Sequence, residues 1–399
     1  MAILSVNAGS SSLKFALYPL QGDTVQTQQL NGVIEGLEPG GAPEICWTQA
    51  AGPTQRQALQ LGEHHVFAGA LKHLRSLLAS LTPAPRLRAV AHRVVHGGSR
   101  YRESVVVTQR ILDELTELNS LAPLHQPHNL EGVRAFARAF PEVPQVACFD
   151  TAFHASLPEV DFRFALPQSL YEQGVRRYGF HGLSYQYVMG VLQQHSAHAN
   201  GRVLMAHLGN GASLCAAHGG RSCATTMGFS ALDGLMMGTR TGSLDAGVML
   251  YLLEQGWDHD RLQKLLYKQS GLLGVSGISA DMRRLRADGS PAARFAIDLF
   301  THRVVRESGA LVACLQGLDV MAFSGGIGEH DAALRSDVAR QLAWLGVTLD
   351  PERNAQAVGD QVMSIHAPGS RVELWVVPTD EGVVAAREAA RLVAHPDAG

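Results

Sequence analysis

The N-terminal stretch ILSVNAGSSSLKFALY, residues 3–18, brings several phosphate-binding groups into one turn. An apolar strand pattern breaks at residues 7–9, passes through three serines at residues 10–12, and resumes in a strand that carries Lys14. Closely spaced backbone N–H groups, hydroxyls and one ammonium suit a polyphosphate. The segment is not a Walker A loop, because no glycine precedes Lys14 and no Ser or Thr follows it. The pattern predicts a strand–turn–strand phosphate-binding hairpin, with an ordinary β-hairpin as the alternative.

A second copy of this pattern is predicted at residues 203–217, VLMAHLGNGASLCAA. Sliding it onto the N-terminus pairs Ser12-Leu13 with Ser213-Leu214, and both copies have an apolar strand before and after a glycine turn. Two phosphate-binding hairpins that face each other across a cleft define the actin-like architecture. The repeated pattern therefore favours that fold.

A third glycine turn, residues 323–329, follows an apolar run and precedes a helical pattern over residues 332–345. A strand, a glycine turn and a helix N-terminus are a common nucleotide contact. None of the three turns has the third glycine of G-x-G-x-x-G, which disfavours a dinucleotide-binding site.

Arg93 lies in the segment AVAHRVVHGG. His92 and His96 have the i, i+4 spacing of a helical metal pair, but the β-branched residues and the following glycines favour a strand. On a strand, Arg93 and Val95 share one face, which suits a small molecule with one anionic and one apolar end. A surface arginine in a salt bridge is the alternative.

Three more side chains are candidates for chemistry. Arg240 lies in a Gly/Thr-rich loop, where a guanidinium is typical of phosphoryl stabilisation. Asp150 follows a strand, at the position where α/β sheets keep catalytic groups, although a turn-capping Asp is the competing account. His181 precedes a helix, as an electrostatic contact or as an ordinary loop residue. No G-x-S-x-G elbow is present, so the pattern favours a phosphotransferase.

The composition agrees with a globular enzyme of two domains. The chain has 399 residues, 46% of them hydrophobic, which is enough for two cores. The net charge is −3 and the basic residues are scattered, so we expect neither a nucleic-acid nor a membrane partner. Five cysteines without a CxxC pair are typical of reduced thiols, and with no signal peptide evident they predict a cytoplasmic protein.

Periodicity and turn signals predict an α/β chain. The predicted helices are 66–80, 108–119, 130–140, 184–195 with Ser184 as its N-cap, 245–255, 291–316 and 383–393. The predicted strands are 88–96, 145–149 and 372–377. We place one domain at residues 1–150 plus 383–399, closed by the C-terminal helix, and a nucleotide-binding domain at residues 151–382.

The chain resembles the acetate and propionate kinase family along nearly its whole length. The matching segments are VNAGSSSLKF (6–15), HRVVHGG (92–98), FDTAFH (149–154), YGFHGLS (178–184), AHLGNGAS (206–213), MGTRTG (237–242), SGGIGE (324–329) and TDEG (379–382). The resemblance implies duplicated actin-like (ribonuclease H-like) domains with an interdomain active-site cleft, and a homodimer. It implies reversible, Mg²⁺-dependent transfer of the ATP γ-phosphoryl group to acetate, with Mn²⁺ as a possible substitute.

The resemblance also implies a role for particular residues. Asn7 and Glu381 would hold the metal, and Asp150, Arg93, His181 and Arg240 would be the catalytic residues. Nucleotide-binding residues would be Lys14, His207, Leu208, Gly209, Asn210, Gly211, Asp281, Met282, Arg283, Gly326, Ile327, Gly328, Glu329 and His330. Acceptor-binding residues would be Arg93, Val95, Leu124, Phe180 and Ala231.

The chemistry leaves Asp150 a different role from that of a general base. A carboxylate acceptor with a pKa near 4 is already ionised at pH 7 and needs no base. Orienting an arginine or a metal-bound water is the role we expect of Asp150. In hydroxyl-directed kinases of the same superfold a carboxylate does act as base, so Asp150 alone does not separate the two.

This chain departs from the family pattern at a few positions. Ala231 stands where a proline is usual, His330 replaces the asparagine of GIGEN, and TNEE becomes TDEG with Asp380 and Gly382. The loop after Arg240 also changes, from GTR-x-GDxDP to GTRTGSLDA. These changes leave open the acceptor size and the nucleotide preference. The alternatives are a propionate or other short-chain carboxylate kinase, a hydroxyl-directed kinase, and a chaperone-like ATPase.

Overall fold

The computed structural model describes residues 1–9, 11–38, 40–50, 52–61, 66–123 and 125–394. The chain divides into two compact units. The N-terminal unit comprises Met1–Ala152 and Asp380–Gly399, and the central unit comprises Phe153–Thr379. Within the described residues, no helix is long and apolar enough to span a bilayer.

The strands are short, and the central strands of each sheet are largely buried. In chain order they are β1 (Ala2–Ala8), β2 (Leu13–Gln21), β3 (Thr24–Val25), β4 (Leu30–Glu35), β5 (Glu44–Gln49), β6 (Gln55–Ala58), β7 (Leu87–Val94), β8 (Val105–Val106), β9 (Gln145–Phe149), β10 (Arg202–Leu208), β11 (Ala212–His218), β12 (Arg221–Thr225), β13 (Val320–Ser324), β14 (Met363–Ser364) and β15 (Glu373–Val376).

The described helices begin in different ways, and several begin at a Ser, Thr or Asp whose side chain accepts from a first-turn backbone N–H. They are α1 (Val66–Ser80), α2 (Gln109–Thr116), α3 (Gln126–Ala139), α4 (Glu159–Phe162), α5 (Gln168–Glu172), α6 (Gly182–His195), α7 (Ala246–Glu254), α8 (His259–Lys268), α9 (Gly271–Ser276), α10 (Met282–Asp288), α11 (Pro291–Leu315), α12 (Gly325–His330), α13 (Ala332–Gln341), α14 (Pro351–Gln356) and α15 (Glu381–Ala394). All seven predicted helices and all three predicted strands are present, with bounds shifted by at most four residues.

The two sheets share one topology. In the N-terminal unit the strand order β4-β2-β1-β7-β9-β8 forms the centre of the sheet, and in the central unit the order is β12-β11-β10-β13-β15-β14. In each sheet the first hairpin is antiparallel and the two following strands join it in parallel. The predicted α/β class with duplicated actin-like domains is confirmed.

The predicted alignment of the two hairpins is wrong by two residues in the second strand. The first hairpin closes at the pair Ala8↔Leu13 and the second at Leu208↔Ala212. Leu13 therefore corresponds to Ala212 and not to Leu214. The identity that suggested the alignment is a coincidence, because the second turn is one residue shorter than the first.

The cores lie beside the sheets and fix the strand ends that carry polar residues. In the N-terminal unit, β1 and β2 are buried against α1, with Leu4, Leu17 and Leu74 fully buried. In the central unit, α6 packs against β10, with Tyr185 and Met205 fully buried. Burying such side chains stabilises each unit by about 25 cal/mol per Å² of apolar surface removed from water.

Candidate active site

Arg93 and Asp150 form a close ion pair in the N-terminal unit. Arg93 pairs with Cys148 across the parallel strands β7 and β9, so Asp150, two residues beyond Cys148, lies next to the guanidinium. The Nε atom of Arg93 donates to Oδ1 of Asp150 at 3.0 Å, and Nη2 donates to Oδ2 at 2.6 Å. Glu381, at the start of α15, places Oε2 at 3.4 Å from the same Nε.

This arrangement fixes the guanidinium rather than exposing the carboxylate of Asp150. The side chain of Asp150 is 1% exposed and that of Arg93 is 29% exposed. Burial opposes the charged form of Arg93, but the charges of Asp150 and Glu381 outweigh it and raise the pKa of the guanidinium. The Nη1 atom makes no hydrogen bond to a described residue, which leaves its N–H donors available to an anion.

Two amides on α3 hold the neighbouring turns in place, and the sequence analysis did not single them out. Asn129 accepts from the backbone N–H of Val95 and donates to the carbonyl of Ala8. Gln126 bonds both the N–H and the carbonyl of His96. Their i, i+3 spacing on the buried face of a helix is the sequence signal that would have found them.

The other residues predicted for the site in the N-terminal unit are Asn7, Lys14, Val95 and Leu124. Asn7 and Lys14 are cross-strand partners in the first hairpin, Asn7 half-buried and Lys14 exposed. Val95 is buried, in the turn after β7. Leu124, predicted to line the acceptor pocket, lies outside the described residues.

His92 and His96 are buried, neutral side chains. Burial lowers the pKa of each to about 4, and Nε2 of His92 lies 2.8 Å from Oε1 of Gln145. Among the described residues, no group of three or more His, Cys, Asp or Glu side chains could hold a metal ion.

His181 is held at the N-terminus of α6 in the central unit. It adopts the left-handed conformation with φ 59° and is itself the N-cap, so the prediction of Ser184 as N-cap is wrong. Ser184 lies inside the helix. Its hydroxyl does not cap the helix but forms hydrogen bonds with Nδ1 of His207 and with the hydroxyl of Thr379. His181 places Nδ1 2.8 Å from the hydroxyl of Ser213 and stacks on His207 with ring centroids 4.2 Å apart.

Arg240 and His181 converge on one point above Gly211. A Cβ atom at Gly211 would lie 2.9 Å from Nη2 of Arg240 and 3.2 Å from Nε2 of His181. The other terminal nitrogen of Arg240 donates to the carbonyl of Ala231 at 2.6 Å. Because Gly211 has no side chain, the space next to it is bordered by a cationic guanidinium and an imidazole, which suits a small anionic group.

A cavity of about 940 Å³ lies in the central unit beside this point. It is lined by Gly209, Asn210, Ala280, Asp281, Met282, Arg283, Arg286, Gly326, Ile327, His330, Asp331 and Ala332. Its size and mixed apolar and polar wall are typical of a small-molecule site. Eight of the residues predicted for nucleotide binding line it, together with Arg286 and Asp331, which were not predicted.

Three other residues predicted for nucleotide binding, Leu208, Gly328 and Glu329, do not line the cavity. Leu208 and Gly328 are buried. Oε1 of Glu329 accepts from the backbone N–H of Gly325 at 2.8 Å and of Thr379 at 3.0 Å, which pins the glycine turn. The helix predicted to start at residue 332 is preceded by α12, so the turn is already helical.

Asp281 and Arg283 form a second ion pair on the cavity wall. Nε and Nη2 of Arg283 donate to the two carboxylate oxygens of Asp281 at 3.1 Å and 2.7 Å. These hydrogen bonds from Arg283 lower the pKa of Asp281 to about 2. Asp281 also accepts from the backbone N–H of Arg283 and so caps α10.

The change from TNEE to TDEG has a structural reason. Asp380 accepts from the hydroxyl of Tyr18 at 2.8 Å and from the backbone N–H of Val383 at 3.0 Å, so it caps α15. A Cβ at Gly382 would lie 2.5 Å from the Tyr18 hydroxyl. A side chain at 382 would therefore displace the Tyr18 hydroxyl, which donates to the residue that caps the helix turn carrying Glu381.

Phe180 and Ala231, both predicted for acceptor binding, lie in the central unit. Phe180 is buried, and its carbonyl accepts from Nε2 of His154 at 2.9 Å. Ala231 is half-buried, and its carbonyl accepts a hydrogen bond from Nη1 of Arg240.

Comparison with known proteins agrees with this geometry. The family model described as the Acetokinase family matches residues 2–387. A curated acetate kinase of Rhodopseudomonas palustris is 50% identical, over 98% of this chain and 98% of that protein. Two solved structures are similar. A propionate kinase from Francisella tularensis has a TM-score of 0.89 and 35% identity, covering 97% of this chain and 98% of that one. An acetate kinase from Porphyromonas gingivalis has a TM-score of 0.88 and 34% identity, covering 98% of this chain and 99% of that one.

Proposed function

The chain belongs to the acetokinase family, and we propose that it catalyses reversible transfer of the γ-phosphoryl group of ATP to acetate, giving acetyl phosphate and ADP. The observation that carries the proposal is the convergence of Arg240 and His181 above Gly211, next to a cavity of nucleotide size. A phosphoryl group in transit spreads negative charge over its equatorial oxygens, and two fixed donors stabilise that charge.

Arg93 is the group that holds the acceptor. Its Nε and Nη2 atoms are occupied by Asp150, which leaves Nη1 for the carboxylate of acetate. Because acetate is ionised at neutral pH, no residue has to remove its proton. Asp150 therefore acts through Arg93, as a positioning residue, and catalysis consists of alignment and charge stabilisation.

We propose that oxygen atoms of Asn7 and Glu381, both in the N-terminal unit, would hold Mg²⁺. Asn7 offers an amide oxygen and Glu381 a carboxylate, and Mg²⁺ is usually held by one or two such groups together with water and substrate phosphates. An ion held there would supply positive charge to neutralise the phosphate oxygens. Glu381 must then divide its interaction between the ion and Arg93, which lies 3.4 Å away. Glu381→Ala should raise the Mg²⁺ concentration needed for half-maximal activity, and a titration identical to wild type would exclude this role.

The proposed reaction is tested by trapping acyl phosphate with hydroxylamine across a panel of carboxylates and sugars. We expect product with acetate and, to a smaller extent, with propionate. Product with a sugar hydroxyl and not with carboxylates would favour the hydroxyl-directed alternative. Slow hydrolysis of ATP without any acceptor would favour a chaperone-like ATPase.

We further propose that two copies of the chain associate through α7. This helix, AGVMLYLLE, has no buried residue, and Leu250, Tyr251 and Leu253 on it are exposed. An apolar helix with several exposed large side chains is typical of an interaction surface. Leu250→Glu should lower the molecular mass in sedimentation equilibrium from dimer to monomer. The matched control is Val160→Glu, because Val160 is an isolated exposed apolar residue, and a dimer that survives Leu250→Glu would contradict the proposal.

A further inference from the structure

His330 presents a hydrogen-bond acceptor on the wall of the nucleotide cavity. Its Nδ1 atom lies 2.5 Å from the carbonyl oxygen of Val358. A carbonyl oxygen only accepts, so Nδ1 carries the proton and the neutral ring has its lone pair on Nε2. No residue that the structure describes makes a hydrogen bond with this Nε2.

The residues around His330 leave room for its ring in this position only because a glycine is present. Gly359 has a φ of +79°, and a Cβ there would lie 2.4 Å from Cε1 and 2.7 Å from Nδ1 of His330. Any other residue at 359 would be strained and would push the ring aside. Val358 and Gly359, which follow α14, thus fix the position of the imidazole ring.

A buried guanidinium ties together the two segments that hold this ring. Arg335 is fully buried. Its Nη1 donates to the carbonyls of Gly328 and Glu329, and its Nη2 to those of Asn354 and Ala357, at 2.8 to 2.9 Å. Burial lowers the pKa of Arg335 to about 10. A buried charge with neutral partners is costly, and its partners here are the residues just before His330 and just before Val358.

The carboxylates on the same wall are already engaged. Asp281 accepts from Arg283, and Asp331 accepts from Arg286 and from the backbone N–H of Leu334. Nε2 of His330 is therefore an acceptor on this wall whose direction the surrounding structure fixes and to which no described residue donates.

We propose that Nε2 of His330 accepts a hydrogen bond from the 6-amino group of adenine and so makes the enzyme prefer adenine to 6-oxopurine nucleotides. The inference rests on the proposed function in that the cavity holds the nucleotide. A 6-oxo base would bring an oxygen lone pair against the lone pair of Nε2, which loses the hydrogen bond and leaves both acceptors unpaired. Selection of this kind is a matter of the base alone and is independent of the acceptor.

The test measures base preference in the full-length protein, by calorimetric binding of ADP and IDP and by kcat/KM for ATP and ITP. His330→Phe keeps a flat ring and removes the acceptor. We expect the ADP-to-IDP affinity ratio, and the matching kcat/KM ratio, to fall about tenfold. His302→Phe, at an exposed position of α11, is the matched control and should leave both ratios unchanged. A ratio in His330→Phe within twofold of wild type would overturn the proposal.

A second variant tests whether the position of the ring matters. Gly359→Ala should lower the ADP-to-IDP ratio in the wild-type background and have no further effect on it in His330→Phe, because the two changes act on one contact. Additive losses would overturn the proposal. If base preference depends on His330 but no acyl phosphate forms, the inference holds and the proposed function fails. If acyl phosphate forms without dependence on His330, the reverse is true.

Discussion

The two phosphate-type hairpins have the same topology and use it differently. By their closing pairs, Asn7 and Lys14 of the first hairpin correspond to His207 and Ser213 of the second. In the first hairpin these side chains are half-buried or exposed. In the second they are committed to the protein, because His207 stacks on His181 and Ser213 lies within hydrogen-bonding distance of its Nδ1.

The difference shows how one hairpin topology can carry side chains with different environments in the two units. In the first hairpin, the side chains of Asn7 and Lys14 are accessible to a ligand. In the second, the side chains at the corresponding positions contact His181 and orient it. The protein groups that would touch the phosphoryl group in the central unit then come from outside the hairpin, from Arg240 and His181. Four substitutions or conditions test this comparison.

The largest effect is expected at Arg240. Arg240→Ala should lower kcat about 10³-fold or more with little change in nucleotide KM, because its charge acts mainly in the transition state. Steady-state kinetics with saturating acetate measures both constants. Arg340→Ala is the control, since Arg340 is exposed, is paired with Asp337 and does not line the cavity. A normal kcat with a sharply raised nucleotide KM in Arg240→Ala would make Arg240 a binding residue.

Acid should destabilise both units, because each contains buried neutral histidines. Burial lowers the pKa of His92 in the N-terminal unit and of His154 in the central unit to about 4. The unfolded state, with a histidine pKa near 6.5, binds more protons below that pH, so stability is full above about pH 6.5 and falls toward pH 4. Each imidazole should contribute a loss of about 2 kcal/mol between pH 8 and pH 5.

Denaturant unfolding at a series of pH values measures this loss. In His154→Gln the slope of stability against pH below 6.5 should be smaller than in wild type, even if the variant is less stable throughout. An unchanged slope would show that His154 does not titrate on unfolding.

Much of this molecule could be predicted from sequence, and the reasons are local. The helix 66–80 and the strand 145–149 have the predicted bounds, because periodicity and flanking turn residues are encoded in neighbouring positions. The two hairpins and the phosphotransferase chemistry also follow from short segments, whereas the third predicted glycine turn is the start of α12.

What could not be predicted depends on contacts between distant segments. Ser184 has the sequence of an N-cap, but its hydroxyl is taken by His207 and Thr379, far along the chain. The burial of Arg335 depends on carbonyls contributed by two separate segments. The catalytic and metal-binding roles of individual residues stay predictions, as do the cytoplasmic location and the domain bounds.

The next effect separates the two hairpins directly. Ser213→Ala removes the hydroxyl beside Nδ1 of His181 and should lower kcat about tenfold, without a large change in KM, because a misoriented imidazole stabilises the phosphoryl group less well. Lys14→Met, at the corresponding position, should instead raise nucleotide KM. Equal patterns in the two variants would mean that the hairpins do the same work.

The smallest effect concerns acceptor size. Ala231 stands where the family pattern has a proline, and loss of that ring leaves room for about one methylene, worth about 0.8 kcal/mol or fourfold in kcat/KM. An apolar pocket discriminates a methylene by only about 10–200-fold, so the change should relax the preference for acetate without reversing it. Ala231→Pro should lower the propionate-to-acetate ratio of kcat/KM a few-fold.

The backbone N–H of Ala231 makes no hydrogen bond within the described residues, so proline removes none. The carbonyl that accepts from Arg240 is kept, and kcat for acetate should therefore change little. Measuring both acids on both proteins decides the matter. An unchanged or increased ratio would show that residue 231 does not set acceptor length, and a large loss of kcat with acetate would show that it acts through Arg240 instead.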